Sequence, residues 1–127
     1  MLGFHWFPLW PPSTNAIWRH GRKVYLTTEA KRFRQQVEHE TQWARAMKEM
    51  PNVAFSGKLQ VSLEFYPPNR RRRDLDNLLK SVLDAMTHAG VWLDDSQIKN
   101  LCVEMKEPDT EKKGKFHICI EELEDAA

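Results

Sequence analysis

KLQVSLEFYPPNRRRRDLDNLLKSVLDAMTHAG, residues 58–90, changes its apolar period halfway along. In its first part Leu59, Val61, Leu63 and Phe65 alternate with Gln60, Ser62 and Glu64, which predicts a strand with one buried face. In its last part Leu79, Val82, Leu83, Met86 and Ala89 recur at threes and fours, which predicts a helix over residues 76–89 with Gly90 as its C-terminal cap. Between the two, Pro67, Pro68 and Asn69 close the strand and present the arginines Arg70, Arg71, Arg72 and Arg73 in a loop. A strand that feeds a helix through a basic loop is the frame into which the other segments fit.

On the N-terminal side, residues 3–10 are aromatic-rich and alternate weakly, which suits a first strand ended by Pro11 and Pro12. Residues 13–23 form a polar, basic loop that includes Asn15, Trp18, Arg19 and His20, and residues 24–26 suit a short extended piece. Thr27 or Thr28 caps a long helix over residues 29–49, with Glu29 in the first turn where the helix dipole favours an anion. Phe33, Val37, Ala44 and Met47 supply its apolar face, and Pro51 stops it. Trp43 lies off that stripe, as a groove-filler or an oligomer contact. On the C-terminal side, a turn at Asp94 and Asp95 leads to a strand over residues 98–107, with Leu101, Val103 and Met105 on one face. PDTEKKG, residues 108–114, is expected to be a hairpin loop returning through Phe116, Ile118 and Ile120. The order strand, helix, strand, helix, strand, strand predicts a single α+β domain over residues 1–127, a small mixed sheet covered by two helices.

A chain of 127 residues has room for one core and exposes much of its surface, so association of copies is a natural way to bury more. No apolar run reaches the ~18 residues of a membrane span, and the beginning lacks the basic start and cleavage site of a secretory signal. The expectation is a cytoplasmic protein with no membrane partner. Cys102 and Cys119 sit in separate strand-like runs without metal-ligand spacing, and are expected to be buried free thiols. The net charge of +1 hides an uneven distribution. The last seven residues hold four of the 18 acidic groups and no basic one; without them 19 basic groups face 14 acidic ones, a net of +5 over residues 1–120. Basic residues also cluster locally, and local patches set the field a phosphate backbone feels.

Residues 70–95 hold the chemistry. Asp74 and Asp76 are two apart, a spacing that in extended chain turns both carboxylates the same way. Two such anions need a counter-charge, and Mg2+ is a natural one. Lys80 is four residues beyond Asp76 on the helix and falls on the same side. Asp95 lies beyond the helix, and reaches the other carboxylates only if the chain folds straight back. Metal-assisted phosphodiester hydrolysis uses these residue types: oxygen ligands for the cation, an ammonium for charge on the phosphoryl or leaving oxygen, and arginines to grip the backbone. Each alone has a plainer explanation. A DxD pair is usually a helix cap, Asp94–Asp95 a turn, an arginine run a solvated loop, and Lys80 a surface partner of Asp76 or Asp84. Their coincidence favours a metal-dependent nuclease. His5, His20, His39, His88 and His117 have no ligand spacing, and no pattern supports nucleophile-based hydrolysis or nucleotide binding.

RRRRDLDNLLK and DAMTHAGVWLDDSQI, with PPSTN at residues 11–15, resemble the RusA family of Holliday junction resolvases over most of the chain. The resemblance implies an endonuclease that uses Mg2+, for which Mn2+ can substitute. It implies a homodimer that binds four-way DNA junctions and makes paired symmetric nicks in recombination and repair, often encoded in prophages, with a preference for cutting 5′ to CC. The family's essential carboxylates fall on Asp74, Asp76 and Asp95 and its essential lysine on Lys80. Arg70, Arg71, Arg72, Arg73, Asn15 and Arg19 are the expected DNA contacts. A two-fold dimer suits a junction of approximate two-fold symmetry that needs two opposed cuts. The alternatives are a nuclease for flaps, forks or other branched DNA, a non-cutting DNA-binding module, and a protein–protein adaptor.

Overall fold

The structure is a computed structural model that describes residues 1–12, 18–20 and 24–124. Its main sheet has four strands in the order β1-β6-β4-β5, where β1 is Leu2–Phe7, β4 Leu59–Tyr66, β5 Ile98–Met105 and β6 Lys115–Glu122. A second, two-stranded antiparallel sheet pairs β2 (Trp18–His20) with β3 (Val24–Leu26). The helices are α1, Thr28–Ala46, and α2, Leu75–His88. The expected α+β domain with a mixed sheet and two covering helices is what forms.

The alternation read in β4 puts Leu59, Val61, Leu63 and Phe65 on the helix side with 0–1 % exposure. They meet Phe33 and Val37 of α1, and Leu78, Val82, Ala85 and Met86 of α2, in one continuous core. At one end of that core Phe7 stacks on Phe116 at 4.9 Å, with Phe33 and Phe65 tilted against the same ring. The polar core member on β1 is His5, an imidazole held between Glu40 (2.8 Å) and Glu49 (3.1 Å), which ties the edge strand to α1 and the turn after it. Gly3 leaves room there for Met50: a Cβ at that position would lie 2.7 Å from its sulfur.

Local reading and structure part at several points. β5 and β6 do not form a hairpin. They flank β4 on opposite sides, β5 parallel and β6 antiparallel to it. The burial of each strand explains this. Phe116, Ile118 and Ile120 are wholly buried and take an interior position between β1 and β4, while β5, mostly exposed, takes the edge. α1 ends at Ala46, short of residue 49; its Met47 is 55 % exposed, and Ala30 and Thr41 complete the buried stripe. In α2 the most buried positions are Leu78, Ser81, Val82, Ala85 and Met86, with Leu79 and Leu83 only partly covered. The helix is rotated because α1 as well as the sheet packs against it. Cys102 is exposed and Cys119 half-buried; both are free thiols, but neither is a core residue, because both point away from the helices.

The β5–β6 connection is organised by Asp109, whose side chain is 4 % exposed and 3.7 Å from the Lys115 ammonium. Its carboxylate accepts from the backbone N–H groups of Glu111 (3.2 Å), Lys113 (3.3 Å) and Gly114 (3.1 Å), while its own N–H donates to the Pro67 carbonyl (2.7 Å). Burial by itself would raise its pKa; the three N–H donors and Lys115 outweigh that and hold it below the usual carboxylate value. A depressed folded-state pKa adds stability that is complete above the unfolded value of about 4 and is lost as pH falls through the folded one. Urea melts at pH 7 and at pH 3 are therefore expected to show a smaller acid loss of stability in Asp109→Asn than in the parent. Equal acid losses in the two would remove Asp109 from that role.

Candidate active site

The loop after β4 and the first turn of α2 place the arginines beside two carboxylates. Asp74 occupies the N-cap position of α2, yet its side chain makes no capping hydrogen bond. Asp76 lies in the first helical turn and is exposed. Among the described residues neither carboxylate is used by a hydrogen bond or ion pair, so the helix-cap explanation of the DxD pair does not account for it. Pro12, at the start of the PPSTN element, is anchored on α2 by the Ser81 hydroxyl, which donates to its carbonyl. Trp10, Pro11, Arg72, Arg73, Asp74 and Asn77 line the cleft that results.

The four arginines are not equivalent. Arg73 donates to the carbonyls of Asn69 (3.1 Å) and Arg71 (2.9 Å) and to Asn69 Oδ1 (2.8 Å), and its guanidinium lies 5.4 Å from the centre of the Trp10 ring. It braces the loop. Arg70 meets Glu107 at 3.0 Å, but the two side chains are 79 % and 82 % exposed, and an ion pair that open to water holds its geometry weakly. Arg71 and Arg72 are exposed and line, with Pro67, Met105 and Lys106, a groove at the end of β4. Asn15 lies outside the described residues; Arg19 falls in β2.

Asp95 is positioned by a turn that Gln97 locks. The Gln97 side chain accepts from the N–H groups of Leu93 and Asp94, both at 2.8 Å, and donates to the carbonyls of Phe55 and Gly57, both at 2.9 Å. Asp94 caps the 3-10 turn Asp95–Gln97, and the Ser96 hydroxyl and N–H groups lower its pKa. The DD pair therefore divides its work: Asp94 is consumed by the turn, and Asp95 remains exposed.

Asp95 faces the far end of α2 from Asp74. It shares a cleft with Asp84, Thr87, His88 and Asp94 of its own side and Arg34 of α1. Asp84 has a raised pKa, first through burial and also through the neighbouring Asp95 charge, with Arg34 and Lys80 acting against the rise. Asp76, Lys80 and Asp84 fall at successive i+4 positions on α2, a stripe about 12 Å long at 1.5 Å per residue. The expected DNA-side carboxylates thus lie at its two ends, with Lys80 between them. Among the described residues no three His, Cys, Asp or Glu side chains are gathered closely enough to hold a metal ion. Asp74 and Asp76 both stand at the start of α2, and Asp95 shares a cleft with Asp84 instead. Arg34 and Asp84 escaped the reading of the sequence. Asp84 had a local signal, its i+4 spacing from Lys80; Arg34 had none, since it arrives from another helix.

Comparison with known proteins bears on what such a site does. The family model described as endodeoxyribonuclease RusA matches residues 8–121. A crossover junction endodeoxyribonuclease RusA of Escherichia coli strain K12 is 39 % identical over 116 residues, 90 % of each chain. Proteins of the same name from Enterobacteria phage 82 and Shigella sonnei are 39 % and 38 % identical over the same share. The chain belongs to the RusA family of endodeoxyribonucleases.

Proposed function

We propose that this protein resolves four-way DNA junctions in recombination and repair, as a Mg2+-dependent homodimer working in the cytoplasm. The observation that carries the reading is a pair of exposed, uncapped carboxylates beside an arginine loop, in a chain whose relatives bear the name of crossover junction nucleases. No helix among the described residues is long and apolar enough to cross a membrane, which fits a protein that meets DNA directly.

Hard carboxylate oxygens suit Mg2+ or Mn2+, and Mg2+ keeps several of its waters, so a few protein ligands suffice. Asp74 and Asp76 would hold the ion from the start of α2; Asp95, which lies with Asp84 at the other end of the stripe, would have to be drawn toward them to share it. When bound, such an ion polarises a phosphoryl oxygen and lowers the pKa of a bound water. Arg71 and Arg72 grip backbone phosphates at the end of β4, and Arg73 keeps their loop in shape. Lys80 offers an ammonium to charge that develops on the phosphoryl or leaving oxygen. Asp84, four residues further along α2, adds a negative field near that ammonium.

The test is a labelled four-way junction incubated with protein in Mg2+, in Mn2+ and in chelator, beside a flap, a fork and a linear duplex. Paired, symmetric nicks in the junction alone, dependent on the cation, are expected. Flaps or forks cut faster than the junction would reassign the substrate, and metal-independent binding without any cutting would leave a DNA-binding module.

A further inference from the structure

Lys112, Lys113 and Lys115 form a basic run that the site has not used, and the sheet order decides where it goes. β5 and β6 lie on either side of β4, β5 parallel and β6 antiparallel to it. The connection between them, residues 106–114, therefore crosses the C-terminal end of β4, from which the arginine loop also leaves. The two segments are fastened together there. The Asp109 N–H donates to the Pro67 carbonyl (2.7 Å), the Lys106 N–H to the Phe65 carbonyl (2.8 Å), and Arg70 meets Glu107. Gly114, at a φ of 86°, backs onto Trp10 and Pro68, where a Cβ would come within 3.0 Å and 3.1 Å of them. Trp10 also lies under the Arg73 guanidinium, so one indole supports both loops.

The three lysines are not equivalent. Lys115 is half-buried, 3.7 Å from Asp109 and 5.1 Å from the centre of the Trp6 ring, and belongs to the frame. Lys106 is likewise taken, by Glu64 (3.3 Å) and Glu104 (2.9 Å). Lys112 and Lys113 are exposed, and among the described residues their ammonium groups form no ion pair. Glu111 beside them offsets one of the two charges and leaves the turn with a net charge of +1. The backbone that carries them is held by the three N–H bonds to the Asp109 carboxylate and by the Lys112 N–H on the Asp109 carbonyl (3.0 Å). Lys112 itself sits at a φ of 61°, in the left-handed region that a residue with a Cβ enters only at a cost. A charge run that does no more than solvate a loop needs no such frame.

We propose that Lys112 and Lys113 are a second phosphate-gripping element, which holds a stretch of DNA backbone beyond the one bound by Arg71 and Arg72; the proposal rests on the junction-binding reading above. The ligand chemistry is that of phosphodiester oxygens on duplex DNA. An ammonium is a compact charge on a flexible stem, so it holds a phosphate without demanding a fixed geometry and without reading a base. Because the turn is stitched to the root of the arginine loop, the spacing between the two grips is set by the fold before DNA arrives. Contacts made from such a preset frame add affinity without a further loss of loop freedom.

The test is binding of a labelled four-way junction in chelator across a series of salt concentrations. Lys112→Gln/Lys113→Gln keeps most of each stem and removes both charges. Its affinity is expected to fall about tenfold at about 0.1 M salt, and its plot of log affinity against log salt to flatten by about 1–2, since each phosphate contact contributes roughly 0.9 to that slope. Lys112→Arg/Lys113→Arg is expected to restore both. Lys113→Gln alone, which leaves the left-handed Lys112 in place, is expected to lose about threefold in affinity and about 1 in slope. Lys48→Gln is the control: an exposed lysine also at positive φ, beside Met1 and Leu2 at the opposite end of the sheet, expected to keep the parent's affinity and slope. Parental affinity and slope in the glutamine variants, a loss of affinity without flattening, or an equal loss in Lys48→Gln would overturn the second grip and leave the junction-binding reading standing. A parent that binds no junction at any salt would overturn that reading itself.

Discussion

Asp76→Asn is expected to stop strand scission at four-way junctions, lowering the single-turnover rate by roughly 10³-fold, while junction affinity in chelator changes by less than about threefold. A rate loss of that size corresponds to about 4 kcal/mol of transition-state stabilisation, within the several kcal/mol that metal-assisted polarisation supplies. Asn keeps the shape of Asp and removes its charge, so the expected loss is one of cation affinity. Because Asp76 makes no hydrogen bond or ion pair among the described residues, the variant should melt at the parent's temperature. Its affinity for DNA should keep the parent's salt dependence, since the arginine loop is untouched. Cutting at the parental rate would remove Asp76 from the site. A large fall in melting temperature would show instead that the carboxylate holds the fold.

Phe116→Ala is expected to cost about 3–5 kcal/mol of stability, the range for emptying an aromatic core position that cannot collapse. Phe116 is wholly buried on β6, where it stacks on Phe7 and touches Phe33 and Phe65, so the cavity would open between β1, β4 and α1. A domain of this size has about 5–15 kcal/mol in all, and the variant should sit near its unfolding threshold at 37 °C. Denaturant melts measure the loss directly. A cost under about 1 kcal/mol would mean that the ring is not a keystone of the core.

The two variants test different kinds of legibility. Asp74, Asp76 and Lys80 could be read locally, since a DxD step followed by an i+4 lysine is a statement about one loop and one helix. Asp95 could be distinguished from Asp94 only once the turn was seen, because a sequence shows two equal carboxylates where the structure shows one capping Ser96 and Gln97 and one exposed. The arginine run read as four equal cations. Packing makes Arg73 a brace against Trp10, a residue some sixty positions away in the chain. The same distance effect explains the cysteines: Cys102 and Cys119 have strand-like neighbours and a hydrophobic type, and which side of a sheet lacks helices is not encoded in either run.

Period alone determined that this chain makes a strand at residues 59–66, a helix at 75–88 and an α+β domain around them, because burial of one face requires apolar residues at twos or at threes and fours. Tertiary structure alone decided that β6 enters between β1 and β4, that Asp95 shares a cleft with Asp84 and Arg34, and that one sheet face stays open. Those outcomes depend on which distant surfaces meet, and a periodicity says only that a face must be covered, not by what.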